Sequence, residues 1–171
     1  MFSRKSLIGA SIALALSGGA AAAQSLSVDD PSFIALGAGA FDILHDGTAG
    51  EFRGEFRSGH RLLGLLKPFV GASVTTDGAA FGYGGFGIDV YFGQHWVLTP
   101  NVAVGAFGRG SGKDLGSTVE FRSGAELDYR FDDRSRLGLA FHHTSNAGIG
   151  SRNPGAETLM LMYGIPVDLF R

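Results

Sequence analysis

"VEFRSGAELDYRF", residues 119–131, sorts its side chains into two columns. Val119, Phe121, Ala125, Leu127, Tyr129 and Phe131 share one parity, and Glu120, Arg122, Glu126, Asp128 and Arg130 share the other. Successive side chains of a strand point to opposite faces, so this segment has one apolar face and one charged face. "EFRGEFR" (51–57) repeats the pattern, with Phe52 and Phe56 against Glu51, Arg53, Glu55 and Arg57. "FGIDVYF" (86–92) sets Phe86, Ile88, Val90 and Phe92 against Asp89 and Tyr91. Helical periodicity is weak throughout the chain after residue 24.

Alternation by itself is compatible with two architectures. In a soluble sandwich the apolar column faces a core, whereas in a membrane barrel it faces lipid. Strand length and side-chain bulk separate them. Several segments run as long as the roughly 9 to 11 residues that a tilted membrane-spanning strand needs. Many positions where a sandwich core wants bulk hold small residues, in a chain with 28 Gly, 14 Phe and 5 Pro. The closing segment "ETLMLMYGIPVDLFR" (157–171) carries Leu159, Leu161, Tyr163, Ile165, Val167 and Leu169 on one face and ends just after Phe170. It resembles the terminal signal of outer-membrane barrels.

The chain start fits that compartment. Arg4 and Lys5 precede an apolar run, Leu7 to Leu16, and a small-residue tract with Ala21 and Ala23 at the spacing read by signal peptidase. Residues 1–23 are expected to be a cleaved signal peptide. Its removal leaves 148 of 171 residues and, with Arg4 and Lys5 gone, takes the formal charge from -2 to -4. One compact domain, 24–171, is expected. The acidic balance offers no basic face for nucleic acid. Without cysteine there is no disulfide framework, thiolate nucleophile or cysteine-based zinc site.

Strands are predicted near 33–44, 50–58, 62–74, 80–92, 96–109, 117–131, 136–146 and 156–170. Eight strands, an even number, give an all-β, antiparallel transmembrane barrel with both chain ends on one side and no unpaired edge in lipid. "GQH" and "DDRS" read as tight turns, "GSGKDLGS" and "AGIGSRNPG" as longer loops at the opposite end. Trp96 and the many phenylalanines are expected in aromatic girdles or facing lipid.

"FHHTSNAGIGSRNPGAE" (141–157) breaks the apolar column with polar residues. His143 and Ser145 continue the outward series Leu137, Leu139, Phe141, and Glu157 begins the outward series Leu159, Leu161, Tyr163. Polar groups on a lipid-facing column are costly and call for a purpose. Opposed residues of an antiparallel hairpin have a constant index sum, so a loop centred on Gly150 puts Glu157 across from His143, with Cβ atoms about 5 Å apart. Ser145 lies two positions along the same face. Nucleophile, base and orienting acid of an acyl-transfer enzyme take this arrangement. His142 has lumen parity. His45, His60 and His95 fall in different predicted turns or strand ends, and no carboxylate cluster is visible near the serine. Neither a metal nor any other cofactor is therefore expected.

The residues "HTSNAG", "NPG" and a glutamate twelve positions after the serine resemble the active-site segment of the lipid A 3-O-deacylases, the PagL family of outer-membrane hydrolases. The close resemblance spans about 141–166. It implies a serine esterase that hydrolyses the ester-linked 3-hydroxyacyl chain at the 3-position of lipid A, with Ser145 as nucleophile, His143 as base and Glu157 orienting it. It places the site at the level of the outer leaflet, with lipopolysaccharide as substrate, and it allows a homodimer. The resemblance also implies that Asn146 and Asn153 support the site or its oxyanion hole, although both are equally ordinary turn residues. A non-enzymatic small barrel or another lipid hydrolase would be the alternatives.

Overall fold

The computed structural model describes residues 30–167. The expected signal peptide, 1–23, and the terminal Leu169 and Phe170 lie outside the described residues. Nine strand segments follow in order: β1 (Ser32–Phe41), β2 (Ala49–Arg57), β3 (Lys67–Thr75), β4 (Ala80–Gly87), β5 (Val90–Phe92), β6 (Trp96–Gly108), β7 (Val119–Arg130), β8 (Arg136–Ser145) and β9 (Ala156–Val167). All pairings are antiparallel. β1 pairs with β9 as well as β2, and β4 pairs with β6, so the sheet closes on itself.

β4 and β5 are two parts of one barrel strand. Both face β6 in a single register, since Gly87↔Asn101 and Val90↔Leu98 have the same index sum. The gap falls opposite Pro100. Ile88 N–H donates to the Pro100 carbonyl at 3.0 Å, but proline has no N–H to return. The barrel thus has the eight strands expected. The third begins at Lys67 rather than at 62, because Leu62 and Leu66 close a turn in which Leu63 and Gly64 take φ of 52° and 72°. The first ends at Phe41 rather than 44, where Asp42 turns to φ 59°.

Residues 119–131 settle the choice between sandwich and barrel. Phe121, Leu127 and Tyr129 point outward and are exposed, while Glu120, Arg122, Glu126 and Asp128 are buried in the lumen. Ion pairs span that lumen. Both oxygens of Glu126 accept from Arg57 at 2.8 Å, Glu55 accepts from Tyr83 and Arg122 at 2.7 and 3.0 Å, and Asp89 joins Lys67 and Arg136 at 2.8 and 2.9 Å. Buried charges are tolerable only when paired and hydrogen-bonded in this way.

The lumen is not uniformly polar. At the end carrying the 109–118 and 146–155 loops, Phe41, Phe81, Tyr83, Phe107, Leu115 and Ala156 form an apolar plug. Beside the closure of the barrel, Ala35, Ala140, Met160 and Met162 pack together. The expectation that phenylalanine serves girdle and lipid is therefore corrected for Phe33, Phe41, Phe81 and Phe107, which point inward. Trp96 does lie outward, with its ring 5.4 Å from that of Tyr129, at the short-turn end of the barrel.

Candidate active site

β8 and β9 pair with a constant index sum, and His143 is opposite Glu157, as the hairpin geometry requires. On the same face Leu139, Phe141, Leu159 and Leu161 are exposed. His143 continues this outward column and is about half exposed, at 46% of its side chain. Its Nδ1 donates to Oε1 of Glu157 at 3.0 Å, which leaves Nε2 free to accept a proton. Glu157 is mostly covered, and its Oε2 is buried with no hydrogen-bond partner among the described residues.

Ser145 ends β8 two residues beyond His143, with Phe121 across the sheet. Its hydroxyl makes no hydrogen bond to His143 among the described residues. The structure thus joins the His–Glu pair and sets the serine beside it on one face. Hydrogen bonds of this kind commonly tighten only when substrate is bound.

Gly155 shapes the histidine's seat. It adopts φ +66°, and a Cβ there would stand 2.7 Å from Cε1 of His143. A backbone this close to the ring needs a residue with no side chain, and its left-handed φ favours glycine as well. The sequence marks this position only as a turn glycine.

Asn146 is fully buried and builds the loop that follows the serine. Its Nδ2 donates to the carbonyls of Leu115 and Arg152, both at 2.8 Å, and its Oδ1 accepts from Gly148 N–H at 2.9 Å. Its own N–H donates to Oδ1 of Asn153 at 2.9 Å. With every amide group committed, Asn146 holds loop 146–155 onto the apolar plug through Leu115. The Nδ2 of Asn153 has no acceptor among the described residues and is the side-chain donor left available. Arg152 also reaches Asp114 at 2.5 Å. The N–H of Gly116, and then Arg152, hold the Asp114 carboxyl below the ordinary aspartate range.

His142 turns the other way, as its parity requires. Arg53 Nη1 donates to its Nδ1 at 3.1 Å, so Nε2 carries the hydrogen and donates to Oδ1 of Asn101, also at 3.1 Å. It belongs to the lumen network.

Closure of the barrel adds neighbours that the hairpin alone does not reveal. Phe41 pairs with Thr158, and Ile43 N–H donates to the Glu157 carbonyl at 3.1 Å, which brings Asp42 and His45 alongside Glu157. Potential ligand atoms of these three side chains lie within 4.8 Å of one another. His45, placed by the sequence only in a separate predicted turn, thus lies beside Glu157 in the folded barrel. A cation already serves the cluster, since Nζ of Lys113 is 2.6 Å from Oδ1 of Asp42. Only the β1–β9 register could have exposed this grouping in the sequence.

Residues 56–166 match the protein family described as Lipid A 3-O-deacylase (PagL). Among solved structures, the crystal structure of the outer membrane enzyme PagL aligns at a TM-score of 0.58 and 19% identity, covering 79% of this chain and 99% of that one. The backbone structure of the Yersinia pestis outer membrane protein Ail, in a phospholipid bilayer nanodisc, aligns at 0.45 and 10% identity over 78% of this chain and 99% of that one. No curated protein matches the chain. The first structural likeness bears on the fold, and the family match extends over more than half of the chain.

Proposed function

The chain belongs to the lipid A 3-O-deacylase (PagL) family of outer-membrane hydrolases, and from that premise we propose that it cleaves the 3-position ester of lipid A by serine catalysis at Ser145, His143 and Glu157. The observation that carries this reading is the hydrogen-bonded His143–Glu157 pair on the outward face of the barrel, beside a serine on the same face.

Nε2 of His143 takes the Ser145 hydroxyl proton as Oγ attacks the carbonyl carbon of the 3-hydroxyacyl ester. Glu157 fixes the ring through Nδ1 and balances the imidazolium charge. The tetrahedral intermediate collapses by breaking the bond between the acyl carbon and the sugar oxygen, which receives the proton from His143. Water, deprotonated by the same nitrogen, then releases the 3-hydroxy fatty acid from Ser145. Asn153 Nδ2 is the side-chain donor we assign to the developing oxyanion, a contribution of about 3 to 4 kcal/mol for donors of this class. Asn146 acts from behind, by fixing the loop.

The outward column also dictates the route of approach. A site among lipid-facing side chains receives its substrate sideways, within the leaflet, rather than through the lumen. We assign the end with loops 109–118 and 146–155 to the cell exterior, which sets Ser145 at the level of the outer leaflet, where lipid A resides.

Mass spectrometry of lipid A from cells making the protein tests this directly. Cells with the native chain should lose the mass of one hydroxyacyl group, and cells with Ser145→Ala should not, although the barrel inserts normally. Unchanged lipid A with a correctly inserted native barrel would overturn the reading.

A further inference from the structure

Oε1 of Glu157 bonds to His143, yet Oε2 is buried and accepts no hydrogen bond from the described residues. The closest cation-forming group on that side is Nδ1 of His45, 3.8 Å away in the 42–48 loop. Asp42 of the same loop holds His45 there, and Lys113 of the 109–118 loop fixes Asp42. Its Nδ1 donates to Oδ1 of Asp42 at 2.8 Å, Lys113 Nζ lies 3.2 Å from the ring nitrogen, and the same Nζ is 2.6 Å from Asp42. The Asp42 side chain is buried and that of Lys113 mostly so, while His45 itself remains half exposed.

A carboxylate with one oxygen pinned and the other unpartnered keeps a rotational freedom that an orienting acid cannot use. Asp42 balances the Lys113 ammonium beside it. The Nδ1 edge of the His45 ring, held by Asp42, stands on the Oε2 side in partly covered surroundings, where attraction to a polarised N–H is less screened than in water. Asp42 and His45 come from the other side of the barrel closure, outside the hairpin that bears Ser145, His143 and Glu157.

We propose that His45, held by Asp42 and Lys113, is a positioning residue for Glu157: it fixes the second oxygen of the carboxylate and through it the His143 ring. This rests on the catalytic reading of Ser145, His143 and Glu157. His45 touches no reacting atom, so its loss acts on turnover through Glu157 and leaves substrate affinity alone.

The test is a double-mutant cycle on the purified full-length barrel in detergent, with lipid A as substrate and released 3-hydroxy fatty acid as the readout. His45→Ala should lower kcat about tenfold at unchanged KM, and His45→Gln, which keeps an N–H donor, should recover part of it. In a Glu157→Gln background His45→Ala should lower kcat no further, because residues acting through one another are not additive. Heat-modifiable gel mobility verifies that each variant is folded. Native kcat in His45→Ala, an equal loss in both backgrounds, or a rise in KM alone would each overturn the proposal. So would abolition of activity by a chelator, since the cluster would then be a ligand set. If Ser145→Ala or Glu157→Gln were itself fully active, the catalytic reading would fail instead, separately from this one.

Discussion

At the scale of single residues, the two adjacent histidines separate function from structure. His143→Asn should be nearly as damaging to turnover as Ser145→Ala, because no other imidazole among the described residues of this hairpin shares the outward face with the serine. Glu157→Gln should leave partial activity, with the ring still present but imperfectly held. His142→Asn should keep most activity, since that ring contacts Arg53 and Asn101 in the lumen. Lipid A deacylation assays on the four folded variants check the order, and an essential His142 with a dispensable His143 would refute the assignment. Gly155→Ala tests the seat of the ring. A methyl at 2.7 Å from Cε1 of His143, on a backbone at φ +66°, should displace the imidazole and lower kcat by at least tenfold, of the order caused by small misplacements of catalytic groups. The variant should still migrate as a folded barrel.

Between strands, the useful contrast is the alternation of faces along one element. Leu139 is outward and exposed in β8, so Leu139→Arg should hinder insertion by about 2 to 4 kcal/mol if it lies near the midplane, and less toward the interface. Ala140, its neighbour, is fully buried between Ala35, Met160 and Met162. A large side chain there, as in Ala140→Leu, should also destabilise, by about 1 to 3 kcal/mol from overpacking. The two variants fail differently. The first should be poorly inserted, whereas the second should insert and then unfold at lower urea concentration. Met160 has lumen parity, but its place in the same apolar cluster means that a charge there would be badly received. Loop 146–155 is a further element with its own test. Asn146→Ala removes two donated bonds and one accepted bond from backbone partners, of which the Leu115 carbonyl is buried, and a buried group left unsatisfied costs about 1 to 3 kcal/mol. Increased proteolysis of this loop and loss of activity should accompany an intact barrel.

For the molecule as a whole, charge paired across the lumen takes the place of an apolar core through much of the barrel. Glu126→Ala would strand Arg57 beside Glu55 with half of its partners gone. Breaking a buried pair from one side costs about 3 to 5 kcal/mol, while replacing both members with apolar residues of similar volume is far milder. Urea titration of Glu126→Ala against the double variant Arg57→Met, Glu126→Met should therefore show the single change as the more destabilising. Equal midpoints would mean that the ion pair contributes little to stability.

Much of this was legible before any tertiary structure was known. Parity along residues 119–131 requires a charged face and an apolar face, and the length of the strands with so little bulk between them points to a barrel. The register of one hairpin, centred on Gly150, brings His143 to Glu157 from index arithmetic alone. These are local properties, set by the period of a strand and the closure of a single loop, and local properties can be read along a chain. What lay beyond reach needed the sheet to close on itself. Asp42 and His45 meet Glu157 only because the first strand pairs with the last. The phenylalanines of the plug and the methionines at the closure take lumen positions because a lumen must also be filled by volume, which alternation does not encode. Leu115 becomes the anchor of loop 146–155 only when a distant loop folds over the barrel end, and no spacing in the sequence measures that distance.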